Sequence, residues 1–181
     1  MLEQDFQKMK TNTVRGMLCV GKCLETGNGV DKDQSEAIKW YRMAAENGLL
    51  DAAFELARCY QFGIGVKRNR TTASKWLHKA AEQGHGKAML LLGIRYRTGF
   101  GVEENSCEAV KWFRRAADWG EARAMYELGE CYENGDGVKK DLDAAFLWFC
   151  RAALAAPEDE DLYQSVQNRI YSPELKEVLE K

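Results

Sequence analysis

The sequence predicts an all-α repeat solenoid, and three observations carry that expectation. The tetrad Gly27-Asn28-Gly29-Val30 returns as Gly63-Ile64-Gly65-Val66, Gly99-Phe100-Gly101-Val102 and Gly135-Asp136-Gly137-Val138, at a constant interval of 36 residues. Ten residues after each Val stands a Trp (Trp40, Trp76, Trp112, Trp148), and four residues further an Ala pair. Four copies without an insertion mark a stacked array, because each unit can bury its apolar face only against a neighbour.

One unit is predicted to be a pair of helices. In the second copy, Ala52, Leu56 and Tyr60 recur at i, i+4 and i+8 over a first helix from Asp51 to Phe62. Gly63 ends it, since Gly takes the left-handed conformation of a helix cap without steric cost. A second helix from about Asn69 to Gln83 carries Ala73, Trp76, Leu77, Ala80 and Ala81, a complete amphipathic stripe. The Trp residues lie inside that stripe and are expected in the core. Asp33, Asn69, Asn105 and Asp141 recur just before each second helix, where a short side-chain oxygen accepts from free backbone N–H groups.

The ends decay, as the caps of an array must. After residue 156, Leu162, Tyr163, Val166 and Ile170 still form one apolar face, and Asp159, Glu160 and Asp161 suit the helix N-terminus. Ser172-Pro173 reads as an N-cap with Pro at the first helical position, opening a last helix through Leu175 and Leu179. Residues 2–10 read as a short leading helix with Leu2, Phe6 and Met9 inward. The predicted organisation is an N-terminal cap over 1–14, four repeats over 15–156 (15–50, 51–86, 87–122 and 123–156), and C-terminal capping helices over 157–181.

Composition narrows the function classes. The 26 basic and 28 acidic residues give a formal charge of −2, which argues against a surface built to neutralise nucleic-acid phosphates. No run of about 18 apolar residues is long enough to span a bilayer. The N-terminus alternates charged and apolar residues, unlike a signal peptide. The six cysteines are expected to be buried small hydrophobes in a reducing compartment. Cys23, Cys59 and Cys131 occupy one repeat position, and equivalent residues lie roughly 10 Å apart in stacked helices, too far to bridge. Cys19 with Cys23 makes at most half a zinc site.

The grid A-x-x-x-L-G-x-x-Y-x-x-G-x-G-V followed by D/N-x-x-x-A-x-x-W-Y/F-x-x-A-A-x-x-G closely resembles the Sel-1-like repeat. The third copy carries it in Ala88, Leu92, Gly93, Tyr96, Gly99, Gly101, Val102, Asn105, Ala109, Trp112, Phe113, Ala116, Ala117 and Gly120. The resemblance covers about residues 15–156; Leu24, Ala57 and Gly16 depart from it. It implies a right-handed α/α solenoid related to tetratricopeptide repeats, and an adaptor that assembles other proteins. A secreted, cysteine-rich branch of the family carries a disulfide in each repeat, and some of its members are reported to bind or hydrolyse β-lactams. That branch places Cys where this chain has Ala45, Ala81 and Ala117, then Ala52, Ala88 and Ala124. A β-lactam-hydrolysing enzyme is therefore the alternative class, and the poorer match.

Reaction chemistry finds little support in the residues. Each Gly-x-Gly loop joins two helices and ends in Val, whereas a phosphate loop follows a strand and converges backbone N–H groups on the anion. His78 and His85, the two histidines, have no nucleophile or ligand set at a matching spacing. No catalytic residue, metal or cofactor is assigned. The expected role is a cytoplasmic scaffold with a protein or peptide partner, without nucleic acid or membrane insertion; the sequence leaves homo-oligomerisation open.

The resemblance puts the first helices on the concave face, so their outward residues form the candidate binding surface. These are Leu18, Lys22, Phe54, Arg58, Leu90, Ile94, Arg97, Tyr126, Glu130 and Glu133. Leu18, Phe54, Leu90 and Tyr126 form an apolar column suited to a peptide or helix, or to covering the seam between repeats. The flanking charge is basic in the first three copies and acidic in the fourth, which would orient a partner.

Overall fold

The computed structural model of the chain describes residues 13–173 and Leu175. Nine α-helices and no strand occur among the described residues. The N-terminal unit, up to His85, holds α1 (Val14–Thr26), α2 (Gln34–Glu46), α3 (Leu50–Phe62) and α4 (Arg70–Glu82). The C-terminal unit, from Gly86, holds α5 (Gly86–Thr98), α6 (Ser106–Asp118), α7 (Ala122–Asn134), α8 (Leu142–Ala155) and α9 (Glu160–Ile170). The architecture is the all-α repeat class expected of the sequence. The expected leading helix over 2–10 and the Leu179 end of the last helix lie outside the described residues.

Side chains and backbone close the helix ends at the expected places. Asp33, Asn69, Asn105 and Asp141 each accept a backbone N–H three residues on, at 2.9–3.0 Å. The bond from the Glu36 N–H holds the Asp33 carboxyl below its usual pKa. At the C-termini, Gly27, Gly63 and Gly135 take φ of 81°, 76° and 83°, and each donates its N–H to the carbonyl four residues back. The loop then returns: Asn69 N–H donates to Tyr60 O at 2.8 Å, a bond repeated by Asp33, Asn105 and Asp141.

The second Gly of the loop has a different task. A Cβ on Gly65 would lie 2.0 Å from Gln34 O, and one on Gly137 2.3 Å from Ser106 O. These loops rest on the N-terminus of the preceding repeat's second helix, and only a hydrogen fits between the two backbones. At Gly29 a Cβ would meet nothing within 4 Å.

Packing inside each repeat corrects one expectation. The buried centre of the second helix is the residue after the Trp: Tyr41, Leu77, Phe113 and Phe149 are at most 2% exposed. Trp112 is 5% exposed, but Trp40, Trp76 and Trp148 are half-buried. The residue four after the leading Ala sits mid-stripe, whereas the Trp falls about 100° away at its edge. Cations cover the exposed flank of three Trp rings: Lys79 lies 5.1 Å from Trp76, Arg115 4.4 Å from Trp112 and Arg151 4.8 Å from Trp148. Each buried ring lies on a glycine of the first helix. A Cβ on Gly21, Gly93 or Gly129 would come within 2.5 Å of Tyr41, Phe113 or Phe149.

The C-terminal unit closes on α9. Leu162, Val166 and Leu175 join Ala145, Phe149, Ala152 and Tyr126 in one cluster, with Ile170 packed against it. Tyr163, expected on this face, is 43% exposed.

Candidate functional site

The outward residues of the first helices are less exposed than a free groove requires. Leu18 and Tyr126 are each 9% exposed, and Phe54, Leu90 and Ile94 are half-buried. Phe54 stacks on His85 with ring centroids 5.0 Å apart, and the His85 ring contacts Asp51 at 3.2 Å. Tyr126 packs against Phe149 in the terminal cluster. The apolar column is thus partly drawn into the packing of its own units, because a large ring one turn from the core stripe gains more by covering a neighbour than by facing water.

The expected charged rim is paired internally. In the N-terminal unit, Arg58 donates to Glu25 and, at 2.7 Å, to Glu55; Lys22 lies 3.4 Å from Glu55. The buried Tyr41 hydroxyl also donates to Glu25, at 2.8 Å. In the C-terminal unit, Arg97 contacts Glu127 and Glu130, and Arg169 contacts Glu130 at 2.9 Å and Glu133 at 3.1 Å. The basic-then-acidic polarity read from the sequence is therefore largely neutralised within each unit. Its cause is an offset of 33 residues: Lys22–Glu55, Glu25–Arg58 and Arg97–Glu130 link the end of one first helix to the middle of the next. Alignment at 36 compares like positions and misses this offset, although opposite charges 33 apart were visible in the sequence.

These contacts shift titration in consistent directions. Burial lowers the Arg58 pKa, but hydrogen bonds to Glu25 and Glu55 outweigh it, so the guanidinium is held charged. Burial also opposes the charge of Arg97, and Glu127 and Glu130 more than restore it. The Tyr41 hydroxyl is pushed up, first by burial and then by donation to Glu25. Burial pushes the Cys59 thiol up to about 12 and Cys131 up to about 11. These are protonated, inert thiols at neutral pH. All six cysteines are free, and Cys19 and Cys107 are exposed, contrary to the expectation that all would be buried.

A cleft of about 340 Å³ opens beside this network in the N-terminal unit. Lys22, Cys23, Glu25, Thr26 and Asn28 line it from α1 and the following loop, Tyr41 from α2, and Glu55 and Arg58 from α3. It therefore takes in Lys22 and Arg58 of the expected surface, together with Glu25 and Glu55, which the candidate residues did not include. Arg58 and Tyr41 both donate to the Glu25 carboxylate, while Lys22 keeps a 54% exposed side chain.

A family model described as the Sel1 repeat matches residues 16–49, 50–85, 86–120 and 122–156. Among solved structures, the chain is similar to a Sel1 repeat protein from Oxalobacter formigenes: 34% identity and a TM-score of 0.84, over 94% of this chain and 70% of that one. It is also similar to a protective antigen of uropathogenic Escherichia coli that displays an SLR fold, with 37% identity and a TM-score of 0.80. That match covers 85% of this chain but 33% of the antigen, so the chain spans about a third of its length. Helicobacter pylori cysteine rich protein B is 25% identical with a TM-score of 0.57, over 76% of this chain and 98% of that protein. No curated protein matches the sequence.

Proposed function

The chain belongs to the Sel1 repeat family, and from that premise we propose that it is a non-enzymatic, cytoplasmic adaptor that holds a peptide or helix of a partner protein on its first-helix faces. Proteins of this family are commonly interaction scaffolds. Among the described residues no helix is long and apolar enough to cross a membrane.

The observation that carries this reading is the cleft beside α1. Its volume of about 340 Å³ is at the lower end of ligand-binding clefts, roughly 300–1,000 Å³, and suits a few side chains of a docked segment. Its polar groups are already ordered by one another, so a partner meets donors and acceptors without the cost of fixing them. Lys22, whose side chain is 54% exposed, would take a carboxylate of the segment. The half-buried Phe54 ring, one turn before Arg58 on α3, adds an apolar contact at the same face.

The test is capture of a partner by the intact chain, followed by titration with wild type and Lys22→Glu. Lys22→Glu should weaken binding at least tenfold while unfolding stability moves by less than about 1 kcal/mol, as for an exposed site. Undiminished binding by Lys22→Glu would remove the cleft from the interface. Turnover of a chromogenic β-lactam by the chain would overturn the non-enzymatic reading.

A further inference from the structure

The outer face of α8 breaks the pattern of the other second helices. Leu147 stands where they carry Lys39, Lys75 and Lys111, and Leu154 where they carry Glu46, Glu82 and Asp118. Leu147 is 51% and Leu154 81% exposed, and Cys150, in the place of Arg114, lies half-buried between them. Positions i, i+3 and i+7 make one continuous apolar stripe. Continuation of the array would not cover it, because the same columns are exposed in α6, which α7 and α8 follow in the chain: the Lys111 side chain is 70% exposed, and Asp118 is exposed.

We propose that this face is a homotypic docking surface, on which α8 of a second copy of the chain packs antiparallel, Leu147 against Leu147. The charges around the stripe select that occupant. Asp143 and Arg151 are both exposed and lie four residues to either side of Leu147, on the same face. A two-fold axis at Leu147 sets each Asp143 opposite the other copy's Arg151, so the surface is complementary to itself. Each Leu154 reaches past the other helix's first turn, where Lys140 offers an aliphatic stem. An acidic or basic foreign helix would match only half of this arrangement.

The surface also sets the strength. A helix of 14 residues is about 21 Å long, and one such stripe buries a few hundred Å² per copy, below the roughly 800 Å² of tight complexes. The pair is therefore weak and concentration-dependent.

Sedimentation velocity of the full chain, from about 5 to 500 μM, reads this by mass action. The wild type should move toward dimer mass, and Leu147→Lys with Leu154→Asp, which restores the residues of α6, should stay monomeric with an unchanged helical spectrum. Asp143→Arg should weaken dimerisation about tenfold, and adding Arg151→Asp should recover it. This charge swap keeps the test alive if the leucine variant fails to fold. A wild type monomeric throughout, a dimer that survives Leu147→Lys with Leu154→Asp, or a swap that recovers nothing would each overturn the proposal. So would a monomer that engages a different protein through this stripe.

Discussion

The second and third repeats solve one packing problem in two ways. In α5–α6 the contact is a glycine under a large ring: a Cβ on Gly93 would lie 2.5 Å from a Phe113 ring carbon. In α3–α4 the same positions hold Ala57 and Leu77, both buried. A methyl added on the first helix is matched by a smaller side chain on the second, so the combined volume is kept. Surface chemistry diverges further. Residues up to His85 include 13 basic and 10 acidic side chains, those beyond it 13 and 18. The thiol column carries the buried Cys59 in the second repeat and, in the third, the buried Arg95 over the Phe100 ring. The repeat fixes where a residue stands; its neighbour decides how large or charged it can be.

The largest expected effect separates the true centre of the core from its edge. Phe113→Ala should cost about 3–5 kcal/mol in urea unfolding of the full chain, and Leu77→Ala about 2–5 kcal/mol. Trp76→Ala, at the half-buried edge of the same helix as Leu77, should cost less than either. Equal losses for Trp76 and Phe113 would return the Trp column to the core.

Gly93→Ala should cost about 1–3 kcal/mol, because the new methyl displaces a buried ring that has nowhere to go. The reverse change, Ala57→Gly, lacks that clash and should lose about 1 kcal/mol through helix propensity. A neutral Gly93→Ala would show that Phe113 can shift freely.

Ion pairing comes next. Removing Arg169 takes away one contact of Glu133, the one at 3.1 Å, and the Glu133 side chain is 5% exposed. Arg169 itself is 39% exposed, so the loss should be about 1–2 kcal/mol rather than the full cost of a buried pair. Glu133→Gln in the same background should recover part of it; failure to do so would assign the loss to the arginine's packing instead.

The smallest effect is a pH dependence. Burial raises the folded pKa of Cys59 to about 12 and of Cys131 to about 11, from an ordinary thiol value of 9.0. The folded state therefore holds the protons longer, and stability is full below pH 9 and falls as pH rises toward those values. Cys59→Ala should flatten that fall in the N-terminal unit's share of the curve. At neutral pH a thiol reagent should modify the exposed Cys19 and Cys107 first, and rapid labelling of Cys59 would contradict its burial.

Much of this was legible in the sequence, for definite reasons. A cap such as Asn69 or Gly63 acts within three or four residues, so spacing alone reveals it. The amphipathic stripe gave the buried face but not its midpoint, because Trp76 and Leu77 both fall within it. The candidate surface was read less well. Its residues were chosen as if they faced water, yet Glu25–Arg58 and Arg97–Glu130 pair across repeats at an offset shorter than the period. Such contacts depend on how far one helix slides along the next. The Gly65–Gln34 approach depends on it too.

The most direct test of size sharing between the two helices is a double-mutant cycle at Gly93 and Phe113. Gly93→Ala, Phe113→Leu and the pair, which writes the Ala57–Leu77 solution into the third repeat, are each unfolded in urea. The double variant should be more stable than the sum of the single losses allows, by about 1 kcal/mol or more. Additivity within about 0.5 kcal/mol would mean that the two positions do not share one volume.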